Sequence, residues 1–364
     1  MQSLKADERI AIDLRGLYQR YGYQPYKVGK FEAYDLYMRN KNFLTSEQIL
    51  TFSDTDGRLM ALKPDVTLSI VKNTKDEDTP LKVCYAENVY RVPRGAYGFK
   101  EIMQVGVECL GVVDAYAMGE VLMLAARSLA AISKRYVLDV SDMGIVSGIL
   151  AQEALDHAAH RELLALISEK NLHGLRERCR ALEIGARTAR QLEALVTVCG
   201  PLGETLSEFE ALGMPACCEE ALANLRAVSG MIRAYGIDQV NLDFSVVNDM
   251  SYYNGLIFSG FIDGIPASVL SGGRYDPLMR RMGRKSQAIG FAVYLDQLER
   301  FMQTRSENDV DTLILYDAAA DPQELARLAQ EEVRCGRSVR VQTAGGTALR
   351  AERTVDLCGG RTKA

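Results

Sequence analysis

Polar residues alternate with apolar residues along positions 101–110, and the polar ones could form a binding surface. Gln104, Gly106 and Glu108 occupy every second position. The positions between them are apolar: Met103, Val105, Val107 and Cys109. Such alternation predicts a strand with one apolar and one polar face. Gly106 lies inside that strand, where a glycine often marks the close approach of a ligand to the backbone.

The preceding segment, 83–91, predicts a second strand that carries Glu87 and Arg91 on one face. If the two strands pair as a hairpin with a long loop, both side chains lie beside Gln104 and Glu108. An arginine fork suits a carboxylate or a phosphate, and a carboxylate suits an ammonium or imidazolium group. The pattern therefore indicates an amino-acid pocket. The alternative is the ordinary solvated face of an amphipathic sheet.

Two later segments each allow a binding role or a purely structural one. Positions 271–276 read Ser-Gly-Gly-Arg-Tyr-Asp, and the paired glycines permit either a turn or the close approach of a ligand. Tyr252 and Tyr253, followed by Asn254-Gly255, could serve recognition or packing.

The histidines and cysteines do not indicate a metal centre. His157, His160 and His173 are the three histidines of the chain and lie in one helical segment, where a solvated helix face explains them better than a metal site. The eight cysteines are scattered without a CxxC pair, which is typical of free thiols in a reducing compartment. We therefore expect no metal, and no histidine-based acid–base catalysis elsewhere in the chain.

The composition is that of a globular protein with two or three domains. Of 364 residues, 48% are hydrophobic and 25% are charged, and the net charge of −5 argues against nucleic-acid binding over the whole surface. The sequence has neither an uninterrupted apolar run of membrane-spanning length nor an N-terminal signal peptide. It also lacks a P-loop, a nucleophile elbow and the loop that binds phosphoribosyl pyrophosphate. We expect a cytoplasmic protein with no membrane segment and no cofactor.

The secondary-structure pattern predicts an α+β fold, in which a helical insertion at 144–235 divides a mainly antiparallel core formed by 1–143 and 236–303. A polar linker at 305–309 leads to a small C-terminal α/β unit at 309–364. The other predicted helices are 7–21, 67–73, 115–133 and 322–335. The predicted strands are 83–91, 101–110, 136–141, 239–247, 256–262, 265–271, 312–316, 338–342 and 354–358, with a strand and a helix within 287–303. Hairpin turns are predicted at Asp56-Gly57 and Asp263-Gly264.

Taken in order, these segments resemble the histidyl-tRNA synthetase family of class II synthetases over about 7–303. The specific stretches are Leu62-Lys63-Pro64-Asp65-Val66-Thr67, Tyr90-Arg91, Gln104 to Glu108, Tyr252-Tyr253-Asn254-Gly255, Gly272 to Asp276, and Gly290-Phe291-Ala292. The resemblance implies a mainly antiparallel sheet with flanking helices, a homodimer, and a C-terminal unit that is a shortened form of the family's anticodon-binding domain.

The resemblance also implies a histidine pocket. Its residues would be Asp65 (usually Glu in the family), Thr67, Arg91, Gln104, Glu108, Tyr252, Tyr253, Gly273 and Arg274. Arg91 would meet the carboxylate, and Asp65 and Thr67 the amino group. Glu108 and the tyrosine pair would meet the imidazole.

The chain departs from the family where ATP would react. Asn248 stands where the family has an arginine before its tyrosine pair, and Gln297 stands at the arginine of the third motif. Gly29 replaces the proline of the first motif, and the loop after Arg91 is shortened. Loss of one donor that stabilises developing charge typically costs about 10²–10³ in rate. We therefore expect no catalytic residues.

This pattern resembles a subfamily, the regulatory subunits of ATP phosphoribosyltransferase, which partner a short catalytic subunit at the first step of histidine biosynthesis. It implies a non-catalytic subunit that binds free histidine and forms a homodimer within a hetero-oligomer with that short-form catalytic subunit. Binding of tRNA is not expected. Two alternatives stay open: an active histidyl-tRNA synthetase, and a synthetase-like ligase that uses another amino acid or acceptor.

Overall fold

The computed structural model describes residues 6–44, 48–76, 79–92, 98–247, 252–299, 308–346 and 348–358. The chain divides into two compact units, Ile10–Leu298 and a second that joins Met1–Arg9 to Glu299–Ala364. The helices are α1 (Ala6–Arg20), α2 (Tyr34–Arg39), α3 (Thr67–Asn73), α4 (Ala115–Ile132), α5 (Met143–Leu150), α6 (His157–Ser168), α7 (Leu172–Ala181), α8 (Ala186–Thr197), α9 (Leu202–Glu210), α10 (Glu219–Ala234), α11 (Asp276–Arg281), α12 (Asp296–Glu299) and α13 (Pro322–Arg334). Short 3-10 helices occur at Lys41–Phe43 and Ala216–Cys218.

The strands form three sheets. They are β1 (Gln24–Pro25), β2 (Phe31–Ala33), β3 (Thr51–Ser53), β4 (Leu59–Leu62), β5 (Leu81–Arg91), β6 (Lys100–Gly111), β7 (Tyr136–Asp142), β8 (Cys199–Pro201), β9 (Val240–Asp243), β10 (Leu256–Ile262), β11 (Leu270–Arg274), β12 (Gln287–Tyr294), β13 (Val310–Tyr316), β14 (Val339–Thr343) and β15 (Ala351–Asp356). The main sheet has nine strands in the order β1-β5-β6-β12-β11-β10-β7-β9-β8. From β5 to β7 all neighbours are antiparallel, which confirms the predicted fold class.

One face of the main sheet packs against α4. Asp114 accepts a hydrogen bond from the Ala117 N–H at 2.8 Å and caps the helix. Buried Glu120 accepts from Tyr23 at 3.2 Å and from Lys82 at 2.6 Å. In the described ranges, α4 is the one helix long and apolar enough to cross a membrane by length and composition, but 67% of it is buried within the protein. The core helix of a folded domain can have the same length and apolar composition, and α4 packs as such a core helix.

The other face of the sheet carries a smaller layer near β5 and β6. It includes the three-stranded sheet β2-β4-β3 and the helices α2 and α3. Its buried side chains join those of β5 and α11 in one cluster, which includes Tyr37, Leu68, Tyr85, Val89, Tyr275 and Leu278. Because α3 begins directly after β4, this layer brings the start of α3 over the polar face of β6.

The insertion is helical as predicted, with one exception. Cys199–Pro201 forms β8, which pairs with β9 at the edge of the main sheet. Three residues that include glycine and proline carry no alternation, so the sequence pattern did not indicate this strand. The insertion is therefore joined to the core sheet through backbone hydrogen bonds.

Of the predicted strands, two differ most from their bounds in the structure. β9 ends at Asp243 rather than 247, because the Asp243 carboxylate accepts the Ser245 N–H at 2.9 Å and closes a turn there. β11 begins at Leu270 rather than 265. The turn at Asp263-Gly264 exists, with Ile265 N–H bonded to Ile262 O, but Pro266 follows it and has no N–H for a strand ladder.

The C-terminal unit has the predicted strand–helix–strand order. Its parallel sheet, β14-β13-β15, packs with α13 around Ile314, Val355 and Leu357. Buried Glu332 accepts hydrogen bonds from Arg337 at 2.6 and 3.0 Å and from Thr312 at 2.6 Å. These bonds, led by those of Arg337, lower the pKa of Glu332 to about 2.

Candidate functional site

The register of β5, β6, β11 and β12 places the polar face suggested by the sequence at the centre of the main sheet. Glu108 lies opposite Gly290, and Gly290 lies opposite Gly273. Gly106 lies between Tyr85 on β5 and Ala292 on β12. Residues directly opposite in an antiparallel pair share a face, so these glycines form a low floor beside Glu108. We call this surface the glycine floor: Gly106, Gly273 and Gly290.

Close contacts explain why these positions hold glycine. A Cβ atom at position 290 would lie 1.8 Å from Glu108 Oε2, and one at position 106 would lie 2.2 Å from the Phe291 carbonyl oxygen. A Cβ at position 273 would lie 2.8 Å from Tyr253 Cδ1. Real Cβ atoms do not approach other atoms this closely, so any other residue would have to displace the strand or the site side chains.

Glu108 lies at one end of this floor and is 2% exposed. Oε1 accepts a hydrogen bond from Thr67 Oγ1 at 2.7 Å, and Oε2 accepts one from Tyr275 at 2.6 Å. Burial raises the pKa of Glu108 to about 8, although the two hydrogen bonds oppose the shift. With Gln104 only 4% exposed, the face is enclosed, and the interpretation as an ordinary solvated face is wrong at these two positions.

Asp65 and Thr67 reach this face because they form the start of α3. Asp65 Oδ1 accepts the Leu68 N–H at 2.8 Å, which caps the helix. Burial raises the pKa of Asp65, and the Arg91 guanidinium is close enough to oppose that rise. One carboxylate oxygen of Asp65 is thus held by the backbone, and the helix start fixes the position of the other.

Arg91 lies toward the opposite end of the site. It is 9% exposed, and its guanidinium carbon lies 5.5 Å from the centroid of the Tyr294 ring. Tyr294 is paired with Gln104 in the sheet. Gln104 lies four residues before Glu108 on β6, which corresponds to about 13 Å along the strand. The site therefore has a fixed cation near Gln104 and a carboxyl group at its far end.

The tyrosine pair forms a wall. The ring centroids of Tyr252 and Tyr253 lie 4.4 Å apart. The Tyr252 centroid also lies 5.7 Å from that of Phe43 and 6.3 Å from that of Tyr275. Burial raises the pKa of both hydroxyls, and the charges of Asp65 and Glu108 raise it further. The pair thus packs in the core and faces the carboxyl groups of the site, so the two roles considered for it are compatible.

Arg274 has a different setting from the other expected residues. Its Nε donates to Asp276 Oδ2 at 2.8 Å, and Asn254 Nδ2 donates to the same oxygen at 3.1 Å. The second oxygen of Asp276 accepts the Ala288 N–H at 3.1 Å. In the described residues, these bonds tie Arg274 to the segment at 254 and to β12, and none joins it to Glu108.

A buried ion pair supports the site from the side. Lys63 is 1% exposed and donates to Glu87 Oε2 at 2.5 Å and to the Val28 carbonyl oxygen at 3.3 Å. Glu87 Oε1 accepts the Val28 N–H at 3.2 Å. Glu87 lies opposite Gln104 but is bonded to Lys63, so this pair anchors the segment that leads to Asp65 and Thr67.

Several residues of the site did not emerge from the sequence as site residues. In the sequence Tyr275 stands within a glycine motif, whereas in the structure its hydroxyl donates to Glu108, and the sequence pattern did not indicate Tyr85 or Tyr294. Alternation along β5 and β12 could have placed Tyr85 and Tyr294 on the polar face. Asn248 and the loop at 93–97 lie outside the described residues, as does the side chain of Gln297, which belongs to α12.

Comparison with known proteins identifies the family. The histidyl-tRNA synthetase family profile matches residues 2–298. An ATP phosphoribosyltransferase regulatory subunit of Alkaliphilus metalliredigens is 29% identical over 331 residues, which cover 88% of this chain and 84% of the relative.

Two solved structures share the fold. An ATP phosphoribosyltransferase regulatory subunit/histidyl-tRNA synthetase from Bacillus halodurans is 26% identical, with a TM-score of 0.80 over 97% of this chain and 94% of that one. A chain of the ATP phosphoribosyl transferase (HisG:HisZ) complex from Thermotoga maritima is 19% identical, with a TM-score of 0.64 over 80% of this chain and 98% of that one. This chain therefore belongs to the histidyl-tRNA synthetase family.

Proposed function

We propose that this protein is a non-catalytic regulatory subunit of an ATP phosphoribosyltransferase, and that it binds free histidine on the glycine floor. One observation carries the proposal. The site offers Arg91 for the carboxylate of an amino acid and Asp65 for its ammonium group, whereas Asn248 and Gln297 stand at the two positions where the family has arginines. The similarity to relatives named as regulatory subunits supports it.

The charges of the site suit a bound histidine in one orientation. The carboxylate would lie toward Arg91, where an arginine fork can bind two oxygens. The ammonium group would lie between Asp65 and Thr67, because the Thr67 hydroxyl donates to Glu108 and its lone pairs remain able to accept. The imidazole would lie against the tyrosine pair and bond to Glu108. Truncation of Glu108 would leave buried donors unpaired, at a cost of roughly 1–3 kcal/mol.

The same site is poorly suited to adenylation. Transfer to ATP gathers negative charge on a phosphoryl group, which fixed cations normally stabilise. Two neutral side chains at the arginine positions remove that stabilisation. Bound histidine would then act only through linkage: it must favour one conformation or assembly over another, because equal affinity for both shifts nothing.

The proposal includes the assembly and location of the protein. The chain would act in the cytoplasm as a homodimer within a hetero-oligomer that contains the short catalytic subunit. Residues 1–303 would form the synthetase-like core with its insertion, and 309–364 a shortened anticodon-binding-like domain. Coupling of about 1–3 kcal/mol between the histidine pocket and the catalytic subunit would change activity some 5–150-fold.

Reconstitution tests this function. The protein is mixed with the short catalytic subunit of the same organism, and phosphoribosyl-ATP formation is followed with and without histidine. We expect association and histidine-sensitive turnover. Glu108→Ala should lose the sensitivity, whereas Glu101→Ala, an exposed position on the same strand, should keep it. Absence of both association and histidine sensitivity would refute the proposal.

An active histidyl-tRNA synthetase is the second candidate, favoured by the family match over 2–298. ATP–pyrophosphate exchange with histidine distinguishes the two functions. A regulatory subunit should stay at background, and exchange at a hundredth of an ordinary synthetase's rate would favour the ligase instead.

A further inference from the structure

A cleft in the helical insertion lies apart from the histidine site. It has a volume of about 280 Å³ and runs between α9 and α10. This is close to the lower end of the usual size of small-molecule sites. The two helices are antiparallel here, because Arg226 of α10 meets Glu210 of α9 and Arg233 of α10 meets Gly203. The cleft thus has two ends, about 10 Å apart along α9.

One end presents hydrogen-bond donors without acceptors. Arg233 Nη2 and Ser229 Oγ each lie 3.3 Å from the point that a Cβ of Gly203 would occupy, so both converge over the first turn of α9. Ser229 is 9% exposed. Within the described residues, neither its hydroxyl nor the Arg233 guanidinium has a hydrogen bond or ion pair. α9 itself begins after Pro201 with no side-chain cap.

The convergence of these groups is typical of a phosphate site. The N–H groups of a first helical turn and the helix dipole favour an anion. A guanidinium fork and a hydroxyl donate to the oxygens of a phosphate group. Because position 203 is glycine, Arg233 Nη2 and Ser229 Oγ can approach the backbone of α9 closely, and a Cβ there would lie 3.3 Å from both atoms.

The opposite end has a different chemistry. Glu210 lines it and is bonded to Arg226 Nε at 2.7 Å, and a second guanidinium nitrogen of Arg226 binds Glu219 at 2.6 Å. A carboxylate held in this way repels a second phosphate, but its free lone pairs accept hydrogen bonds from hydroxyl groups. The two ends together therefore suit a sugar that carries one phosphate.

We propose that the cleft between α9 and α10 binds a sugar monophosphate, with the phosphate at Arg233 and Ser229 and the hydroxyl groups toward Glu210. This site does not depend on the histidine pocket, and its occupant does not need the catalytic subunit. It gives the insertion a ligand of its own.

Calorimetric titration of the intact chain tests the proposal, with ribose 5-phosphate, inorganic phosphate and ribose as probes at constant ionic strength. Ribose 5-phosphate should bind most tightly, phosphate more weakly and ribose not detectably. Arg233→Gln should weaken both phosphate-bearing probes about tenfold, and Ser229→Ala several-fold. Arg190→Gln, an exposed arginine on α8, should bind as wild type.

Two results would overturn the assignment. Absence of binding by both phosphate-bearing probes would remove the site, and so would wild-type affinity in both Arg233→Gln and Ser229→Ala. Equal affinity for phosphate and ribose 5-phosphate would overturn the role given to the Glu210 end. Both substitutions are conservative in size and lie on α10, and circular dichroism confirms that each variant keeps its helix content.

Discussion

Glu108→Gln should stabilise the empty protein increasingly as the pH rises. The wild-type carboxyl is buried, and its pKa is raised from 4.5 to about 8. A group whose pKa is raised by folding contributes stability that is complete below the unfolded value and is lost as the pH rises through the folded value. The loss therefore develops between about pH 4.5 and 8.

The magnitude follows from the size of the shift. A difference of about 3.5 pKa units corresponds to roughly 5 kcal/mol at about 1.4 kcal/mol per unit, as an upper bound. Glutamine has nearly the same shape and never ionises, so it escapes this loss. It also has one acceptor oxygen for Thr67 and Tyr275 instead of two, and that exchange costs a constant 1–2 kcal/mol or so.

Urea unfolding followed by circular dichroism at pH 5.5, 6.5, 7.5 and 8.5 measures the effect. The free energy of unfolding of Glu108→Gln, minus that of the wild type, should rise by about 1.4 kcal/mol per pH unit up to pH 7.5 and level off above pH 8. Glu101→Gln, at an exposed position on the same strand, should show no such trend. A difference that is constant from pH 5.5 to 8.5 would refute the assignment of a strongly raised pKa to Glu108.

Three further outcomes are expected. Lys63→Met leaves the partly buried Glu87 carboxylate without its partner and should cost up to about 3 kcal/mol in urea unfolding. Lys63→Met combined with Glu87→Gln should recover much of that loss, and equal stability of the single and double variants would contradict the ion-pair argument. Gly290→Ala should abolish histidine binding in calorimetry, because its methyl group would fall 1.8 Å from the Glu108 carboxylate, and Gly16→Ala, which has open space, serves as the control. Glu332→Gln should increase hydrogen exchange in β13 at pH 7. The difference from wild type should shrink as the pH falls from 4.5 toward 2, because the stability that a lowered carboxyl pKa contributes is complete above the unfolded pKa and is lost as the pH falls through the folded one.

The parts of this protein that could be predicted from its sequence are those with a local period. Alternation of polar and apolar residues is a property of β6 alone, and it placed Gln104 and Glu108 on one face without knowledge of any partner. The helices predicted at 7–21, 115–133 and 322–335 correspond to α1, α4 and α13, and each bound lies within one residue of the predicted one. The insertion could be predicted as helical because it is rich in Leu, Ala, Glu and Arg, which have high intrinsic helix propensities.

Contacts between distant segments could not be predicted in this way. Tyr275 is 167 positions from Glu108 in sequence, and only the register of β11, β12 and β6 brings it within hydrogen-bond distance. The bond between Lys63 and Glu87 depends on how β4 lies beside β5. β8 is too short to show a period. The predicted start of β11 at 265 is wrong because Pro266 has no N–H to donate to the strand ladder.

The glycine floor has a consequence for how the site can change during evolution. Glycine is already the smallest residue, so no substitution at positions 106, 273 or 290 can make the pocket deeper, and each one can only make it shallower. A descendant that accepts a larger ligand must therefore alter the tyrosine wall or the start of α3. If histidine is the ligand, as proposed, a descendant that excludes it needs a single codon change in the floor. Loss of this ligand is thus mutationally easy, and its replacement by a bulkier one requires change elsewhere in the fold.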